Sequence, residues 1–283
     1  MKMNIIKQYE KYNKVIDMFI CPICHTKMKF SNNNSVVCKK AHCFDLSKHG
    51  YINFIPNQQQ TKYTKELFES RRYIFEEGFY KELEDSIKKI IEKYVDISKS
   101  TKALDVGCGE GFYARGLSQN IEKLDVYAMD NSKDAIILGA KKGEKIKWLI
   151  GDLSNIPIKS ESMDLLINIF TPSNYKEFTR ILKSNGYLIK VVPGPNYLKE
   201  LRECAVDQLV NEKYSNESVI HYFTKHIRSE EVKNLTYKMP VTRENITDFL
   251  KMIPMMFNVD KEKLFIDDIR HITLDFTIIV GRK

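Results

Sequence analysis

Three cysteines and a histidine near the start of the chain have the spacing of a metal site. Cys21 and Cys24 form a C-x2-C pair, and Cys38 is followed after three residues by His42. Two thiolates on one turn and a Cys–His pair on another can complete a tetrahedral Zn²⁺ site, although the adjacent Cys43 leaves the fourth ligand open on spacing alone. No βαβ pattern surrounds the C-x2-C pair, which disfavours a redox role. Since four protein ligands leave no open position, we expect a structural zinc.

A glycine-rich turn offers a second site of chemistry. The sequence L-D-V-G-C-G-E-G-F-Y at 104–113 places Asp105 at the end of an apolar strand and Gly107, Gly109 and Gly111 in the turn that follows. Glycines let a ligand approach the backbone where a Cβ would clash. The turn lacks the Lys-Ser/Thr pair of a phosphate-binding P-loop. Its D-x-G-x-G-x-G pattern resembles the first motif of S-adenosylmethionine (SAM) dependent methyltransferases, in which this turn wraps the methionine part of the cofactor.

Polar and aromatic residues are expected at the ends of the next strands. Asp130 can accept hydrogen bonds from both ribose hydroxyls of a nucleoside ligand, and Asp152 is either an acceptor for the adenine amino group or an ordinary turn residue. Asp130 would serve NAD equally well, but the G-x-G-x-G spacing favours SAM over the G-x-G-x-x-G of dinucleotide sites. Phe170 and Thr171 follow the fourth strand, where the methyl group would be delivered. We expect Phe170 to stack on a substrate base and Thr171 to bind its edge.

Strands and helices alternate from residue 101 onward and would position these residues. Two helices, at 64–77 and 79–95, precede the alternation. Alternating units imply parallel strands with right-handed crossovers and a ligand at the carboxyl ends of the strands. An apolar strand at 271–280 fits an antiparallel last hairpin, and the polar residues 213–250 predict an inserted lid or substrate loop. The expected fold is α/β: a Rossmann-like class I SAM methyltransferase domain with a mostly parallel seven-stranded sheet, plus a small N-terminal zinc-binding module.

Changes in composition divide the chain into four parts. We expect an N-terminal extension at 1–18, a zinc-finger module at 19–55, for which the family resemblance given below implies RNA recognition, a linker and helices at 56–100, and the methyltransferase domain at 101–283. The boundary rests on the polar run N-Q-Q-Q at 57–60, which has no apolar anchor. Aromatic residues at 44–54 either stack on RNA or close a small apolar patch under the zinc site, and we favour the patch.

The overall charge and the N-terminus restrict the partners and the location. The net charge of +8 favours a polyanion such as nucleic acid, although a composition rich in Lys, Asn and Ile would produce the same charge without a function. No run approaches the roughly 20 apolar residues that a membrane span needs. The first residues carry no apolar secretory core, so we expect a cytoplasmic protein without a membrane partner.

Several longer segments extend the similarity beyond the glycine turn. The C-P-I-C…C-x3-H finger is followed by F-D-L-S-K-H-G-Y-I-N-F, K-E-L-F-E-S-R-R-Y-I-F-E-E-G-F-Y and P-G-P-N-Y-L-K-E-L. From about residue 19 to the end, this combination resembles the 23S ribosomal RNA guanine-N1 methyltransferases. The resemblance implies a SAM-dependent enzyme that methylates N1 of a guanine in a hairpin loop of 23S rRNA. It also implies a structural zinc and a homodimer with a cleft for RNA.

The resemblance also implies roles for individual residues. It selects His42 over Cys43 as the fourth zinc ligand, and it matches Tyr80, Gly109 and Glu110 to cofactor contacts. Tyr197 stands where the family commonly has a histidine. Together, the expected SAM contacts are Tyr80, Asp105, Gly107, Gly109, Glu110, Gly111, Asp130, Asp152 and Tyr197. No general base is indicated by the sequence.

Two rival functions come from different classes. The first is a small-molecule methyltransferase, which has no obvious use for a zinc finger and a basic surface. The second is a non-catalytic RNA-binding protein that keeps a SAM fold. Intact Gly107, Gly109, Gly111 and Asp130 argue against this second rival.

Overall fold

The computed structural model describes residues 2–32, 34–55, 65–209 and 215–283. The helices are α1 (Lys2–Asn13), α2 (Lys65–Glu76), α3 (Lys81–Tyr94), α4 (Phe112–Asn120), α5 (Lys133–Ala140), α6 (Tyr175–Ile181), α7 (Lys199–Cys204), α8 (Glu217–Thr224) and α9 (Arg243–Met252). The strands are β1 (Met28–Asn32), β2 (Ser35–Cys38), β3 (Cys43–Asp45), β4 (Tyr51–Asn53), β5 (Thr101–Val106), β6 (Leu124–Asp130), β7 (Lys147–Ile150), β8 (Met163–Ile169), β9 (Leu182–Pro193), β10 (Arg228–Pro240) and β11 (His271–Arg282). The expected polar linker at 57–60 lies outside the described residues.

A central mixed sheet organises the molecule. Within the described residues it has eight strands in the order β10-β11-β9-β8-β5-β6-β7-β4. The expectation of seven strands is therefore wrong. The additional strand is β4, which pairs in parallel with β7 and places Tyr51 opposite Trp148. Three residues are too short a run for a periodic signal, and the partner strand lies far along the chain, so the sequence does not reveal this pairing.

The parallel part of the sheet places all its carboxyl ends on one edge. Strands β4 to β9 run parallel, and β5 lies between β6 and β8, where the strand order reverses. Helix α3 covers the sheet with Leu83, Ile87, Ile90 and Ile91, which are buried at helical spacing. The reversal at β5 opens a crevice at its carboxyl end, which is where ligands bind in open α/β sheets.

The C-terminal part of the sheet is antiparallel. Strand β11 pairs with β9, and β10 pairs with β11 from Arg228 opposite Arg282 to Pro240 opposite His271. The expectation that residues 213–250 form a loop is wrong for the described residues 215–250, which contain α8, β10 and most of α9. Strand β10 lies at the edge of the sheet and buries only one face, so its sequence stays largely polar.

The N-terminal module, residues 19–55, packs directly on the large sheet. Strands β1, β2 and β3 form a small antiparallel sheet. Phe19, Phe44 and Phe54 are buried in one cluster with Tyr127 of β6. The aromatic residues at 44–54 therefore include a buried patch beneath the metal-ligand cluster, as we expected, and this patch is continuous with the core of the larger domain.

Helix α1 holds the N-terminal module and the sheet together. Tyr12 is fully buried, and its hydroxyl donates to the carbonyl oxygens of Gly50 (3.1 Å) and Trp148 (2.8 Å). Lys11 donates to the carbonyl oxygens of Glu144 and Ile146. None of the helices in the described part of the chain combines the length and apolar character that a membrane span requires.

Candidate functional site

The four expected metal ligands are brought together in the N-terminal module. The ligand atoms of Cys21, Cys24, Cys38 and His42 all lie within 4.8 Å of one another. The Cys24 and Cys38 sulfurs are 3.5 Å apart, and Nδ1 of His42 is 3.4 Å from the Cys21 and Cys38 sulfurs. Three thiolates and one imidazole in this arrangement fit a tetrahedral Zn²⁺. Cys43 is exposed and lies outside the cluster.

Two tight turns aim these ligands at one point. In the first, the His25 N–H donates to the Cys21 carbonyl oxygen at 2.8 Å. In the second, the Ala41 N–H donates to the Cys38 carbonyl oxygen at 3.0 Å. His25 and Ala41 both have positive φ, at 57° and 61°, a conformation that is costly for residues with a Cβ. The left-handed backbone at His25 and Ala41 is strained, and it directs the ligands of both turns inward.

A pocket of about 870 Å³ lies at the carboxyl ends of β5 to β9, and we call it the cleft. Most of the residues expected to contact the cofactor or the base line it, namely Tyr80, Asp105, Gly107, Gly109, Glu110, Asp130, Asp152, Phe170, Thr171 and Tyr197. Gly111 is not among the lining residues. It begins α4 with φ 73°, and a Cβ there would meet the ring of Trp148.

The glycine turn between β5 and α4 is shaped by backbone conformation and by Asp130. Gly107 and Gly109 have φ of 72° and 56°, and a Cβ on Gly107 would meet the side chain of Thr171. The Asp130 carboxylate accepts from the N–H groups of Gly109 and Ser132, both at 2.8 Å. Burial raises the pKa of Asp130 despite these bonds. Asp130 therefore ties the glycine turn to the end of β6.

Asp105 is the most perturbed acid in the cleft. Its side chain is 2% exposed, and its Oδ2 atom has no hydrogen-bond partner among the described residues. Burial, and then the neighbouring Asp130 carboxylate, raises the pKa of Asp105 to about 7. An N–H bond from Ala114 ties its carboxyl to α4. An unpartnered buried carboxylate oxygen is costly, so this site fits a ligand that brings a cation, such as the ammonium of the methionine part of SAM.

Two adjacent arginines of α2 have different environments. Arg72 donates to the Glu110 carboxylate through Nε and Nη2, both at 3.1 Å, which fixes α2 against the glycine turn. Arg71 lines the cleft, with Nη1 3.4 Å from the place that a Cβ on Gly109 would occupy. Its guanidinium lies 5.9 Å from the Phe68 ring centroid and is close enough to Asp130 to lower the pKa of that carboxyl, but it forms no direct ion pair within the described residues. Arg71 is thus a cation available to an anionic ligand group.

Aromatic rings form the wall of the cleft near β8 and β9. The hydroxyls of Tyr80 and Tyr197 are 2.5 Å apart, and both side chains are buried. Burial raises the pKa of Tyr197 to about 12 and that of Tyr80 well above its usual value. The ring centroid of Phe170 lies 6.0 Å from that of Tyr197. Phe170 has φ 54° and remains 39% exposed, so its ring is available to a flat ligand.

Asp152 and the loop before it complete the opposite end of the cleft. The Asp152 Oδ1 atom accepts from the Ser154 N–H at 2.8 Å, as a turn residue does, while the residue also lines the cleft. Gly151 and Ser132 also line the cleft. The structure thus places Asp152 where either of the two roles expected for it is possible.

Two cleft residues receive no definite role from the sequence. Arg71 sits in the middle of an amphipathic helix, where an arginine suits a phosphate contact and a solvated face equally well. Lys190 lies within an apolar strand, which conceals its charge from any pattern of periodicity. The run L-I-K-V-V did contain a signal, because a lysine is almost never fully buried in a sheet unless it is paired or functional.

Comparison with known proteins defines the class. A family model described as "RlmA, N-terminal", a zinc ribbon, matches residues 19–63, and a model described as "Methyltransferase domain" matches residues 104–190. The fold, the Cys3His cluster and these matches make the chain a class I SAM-dependent methyltransferase with an N-terminal zinc ribbon. Its cofactors are accordingly SAM and zinc.

Full-length relatives identify the family within that class. A Bacillus subtilis protein, YxjB, provisionally named a 23S rRNA (guanine-N1) methyltransferase, is 35% identical over 94% of this chain and 97% of its own length. The 23S rRNA (guanine(748)-N1) methyltransferase of Streptomyces fradiae is 22% identical over 95% of this chain and 98% of its own. The chain therefore belongs to the 23S rRNA (guanine-N1) methyltransferase family.

Solved structures are more distant. A SAM-dependent methyltransferase from Aquifex aeolicus is 18% identical, covers 69% of this chain and 88% of its own, and has a TM-score of 0.44. That similarity is too low to bear on function.

Proposed function

We propose that the chain transfers the methyl group of SAM to N1 of a guanine in a hairpin loop of 23S rRNA. The observation that carries the proposal is the cleft itself. Its glycine turn, the buried Asp105 and the half-buried Asp130 suit an adenosine-bearing cation, while its other end, beside β8 and β9, offers an exposed ring for a base. A small-molecule methyltransferase would have no evident need for the zinc ribbon packed on the same sheet.

Residues around the glycine turn would hold the cofactor. Asp130 would accept hydrogen bonds from the ribose, and Asp152 from the adenine amino group. Asp105 would face the ammonium of the methionine part and Arg71 its carboxylate. The left-handed backbone of Gly107 and Gly109 leaves room for close approach. When bound, SAM supplies an electrophilic methyl group.

The aromatic wall and the glycine turn assign the remaining contacts. Tyr80 and Tyr197 are joined through their hydroxyls, so they would border the methyl group as one rigid unit. Glu110 would contribute its backbone, since its carboxylate is occupied by Arg72. Gly111 would act indirectly, by allowing α4 to begin against Trp148.

The base would enter from the side of β8. A guanine within a loop must leave its stack to reach a buried methyl group. We infer that Phe170 stacks on the extruded base and that Thr171 binds its edge, because both line the cleft immediately after β8. Holding N1 in line with the methyl group supplies much of the rate acceleration through positioning.

The zinc ribbon would recognise RNA without taking part in the chemistry. Cys21, Cys24, Cys38 and His42 would saturate Zn²⁺ and leave no open position for a substrate. The proposal also includes a homodimer, supported by the family resemblance, and a location in the cytoplasm, where ribosomal RNA resides. Light scattering of the purified protein tests the dimer.

One experiment tests the reaction and the target together. The purified protein is incubated with methyl-labelled SAM and 23S rRNA transcripts that cover the hairpins of domain II. N1-methylguanine blocks Watson–Crick pairing, so reverse transcription should stop at one loop guanine. We expect the stop to disappear in Asp130→Ala. No label in any RNA, with SAM binding intact, would favour the small-molecule methyltransferase. No SAM binding would favour the non-catalytic RNA-binding protein.

A further inference from the structure

A lysine is buried in the wall of the cleft at the end where the base would enter. Lys190 lies near the carboxyl end of β9, is 4% exposed and lines the cleft. Strand β9 is separated from β5, which carries the glycine turn, by β8 alone. That separation is roughly 10 Å, two strand spacings. Lys190 therefore stands on the acceptor side of the cleft, away from the residues around Asp130.

The contacts of Lys190 are all with uncharged oxygens. Its Nζ atom donates to Asn168 Oδ1 and Ser173 Oγ, both at 2.7 Å, and to the Thr171 carbonyl oxygen at 3.3 Å. It forms no ion pair with any carboxylate of the described chain. By contrast, Lys147, another largely buried lysine, pairs with Asp125. A buried ammonium without a counter-ion is costly, and the neutral amine relieves that cost.

The hydrogen bonds around Lys190 hold it in place, and its burial favours proton loss. Ser173 Oγ donates to Asn168 Oδ1 at 2.9 Å, so the two short acceptors of Lys190 are joined to each other. Burial alone lowers the pKa of Lys190 to about 8. No nearby charge contributes to that shift.

Titratable groups also reach the cleft from the elements around Lys190. They are Tyr175 on α6, Tyr222 on α8, Asp105 on β5 and Tyr197 in the loop after β9. Burial raises the pKa values of Tyr175 and Tyr197. These two phenols therefore remain protonated near neutral pH. Asp105 lies on β5 and would face the ammonium of SAM, which leaves the Lys190 amine as the acceptor beside Thr171.

The reaction needs a proton acceptor at this place. Guanine N1 carries a proton that is weakly acidic, comparable in strength to a tyrosine phenol with a pKa of about 10. That proton must leave before or while N1 takes the methyl group. We propose that Lys190 is the general base that removes the N1 proton of the target guanine. This inference rests on the proposed function, and it names a role that the sequence leaves unassigned.

Proton removal from N1 leads to methyl transfer. The lone pair of the neutral Lys190 amine forms a bond to the N1 proton, and the electrons of the N1–H bond remain on N1. The N1 lone pair then bonds to the methyl carbon as the carbon–sulfur bond breaks, and the sulfur keeps that electron pair. Lys190, now an ammonium held by Asn168 and Ser173, returns its proton to water after the product leaves.

Substitutions at Lys190 distinguish a general base from a residue that contributes only a fixed positive charge. Arginine keeps the positive charge but cannot be deprotonated, so Lys190→Arg should lower the single-turnover rate by about 10²–10⁴-fold. Lys190→Ala should lose as much, and added methylamine should restore part of that rate by entering the vacated space. In the unmodified protein the rate should rise tenfold per pH unit up to about pH 8 and then level off.

Two controls make the result decisive. SAM binding measured by calorimetry should be unchanged in both Lys190 variants, which shows that the fold and cofactor site survive. Ser173→Ala removes one acceptor but keeps the amine, so it should retain the pH dependence, with its midpoint moved by less than about one unit.

The two proposals fail in different ways. Methylation by Lys190→Arg within tenfold of the unmodified rate overturns the base assignment, as does an equal loss in Ser173→Ala with no rescue of Lys190→Ala by amine. In either case the guanine-specific transfer by the unmodified protein still stands. If the unmodified protein labels no RNA, the proposed function itself fails.

Discussion

At the scale of single residues, the cleft contains charged side chains that are costly to bury unless a ligand pairs with them. Asp105 has an unpartnered oxygen, and Arg71 forms no direct ion pair within the described residues, although its charge lowers the pKa of Asp130. Both face the glycine turn, and their signs match the two ends of an amino acid zwitterion. The protein without cofactor therefore carries electrostatic cost that SAM binding would relieve.

Asp105→Asn should stabilise the cofactor-free protein at neutral pH. In the unmodified protein the pKa of Asp105 is about 7 in the folded state, above the value of 3.8 for the unfolded chain. Between these pH values the folded state binds more protons than the unfolded state, so its stability falls as the pH rises. We expect the variant to gain on the order of a few kcal/mol at pH 8 by denaturant unfolding, and less at pH 5. An equal gain in the free energy of unfolding at both pH values would contradict the raised pKa of Asp105. SAM affinity should fall.

Arg71→Met should weaken SAM binding by roughly 10–100-fold, the usual worth of a hydrogen bond to a charged group. Calorimetry with SAM and with its decarboxylated analogue provides the test. The penalty should vanish for the analogue, which has no carboxylate to bind. Arg72→Met is the matched control: its partner is Glu110, so its effect should be the same for both ligands. A penalty at Arg71 that persists with the analogue would exclude the carboxylate contact.

At the scale of elements, the glycine turn shows how tightly β5, α4 and β8 are joined. Gly107→Ala combines a left-handed φ with a clash against Thr171, whereas Gly78→Ala has a similar φ of 83° and open space around it. Both should pay about 1–2 kcal/mol for the backbone. Only Gly107→Ala should also abolish SAM binding in calorimetry. Normal binding by Gly107→Ala would show that the turn is more adaptable than its packing indicates.

Helix α1 provides a second prediction at this scale. Tyr12→Phe removes the hydroxyl that bonds Gly50 and Trp148 and leaves buried acceptors, so it should cost about 1–3 kcal/mol in denaturant unfolding. Tyr9→Phe on the same helix should cost little, because Tyr9 contributes a ring contact with Phe30. Equal costs would mean that α1 is held by apolar packing alone.

Elements also show what the sequence makes predictable. The clustering of the four expected metal ligands and the position of the glycine turn at the cleft depend on spacing within a few residues, which a sequence pattern records. Strand β10 was missed because its outward face is polar, although Leu235, Tyr237 and Met239 alternate as an edge strand requires. Strand β4 depends on a partner strand remote in the chain, which no local pattern encodes. The lysine within the apolar run at 188–192 does indicate burial, but the cleft that Lys190 lines is built by elements remote in the chain.

At the scale of the whole molecule, the zinc ribbon and the methyltransferase domain share a core. Phe19, Phe44 and Phe54 pack with Tyr127, and β4 extends the large sheet. A chelator that removes zinc should therefore lower the unfolding midpoint reported by Trp148, the single tryptophan, which lies in β7 beside β4. Cys43→Ala should leave that midpoint unchanged. A chelated protein with an unaltered Trp148 transition would show that the two parts unfold independently.

The addition of β4 also makes the two borders of the large sheet unequal. On one side the short strand from the ribbon covers β7. On the other, β10 ends the sheet within the described chain and presents free backbone groups along thirteen residues. An open border of that length invites strands from other molecules. Charged residues interrupt it, namely Arg228, Glu230, Glu231, Lys233 and Lys238, and it stops at Pro240. The chain thus disfavours strand pairing between molecules at the borders of this sheet, because its metal module covers one border and charged residues line the other.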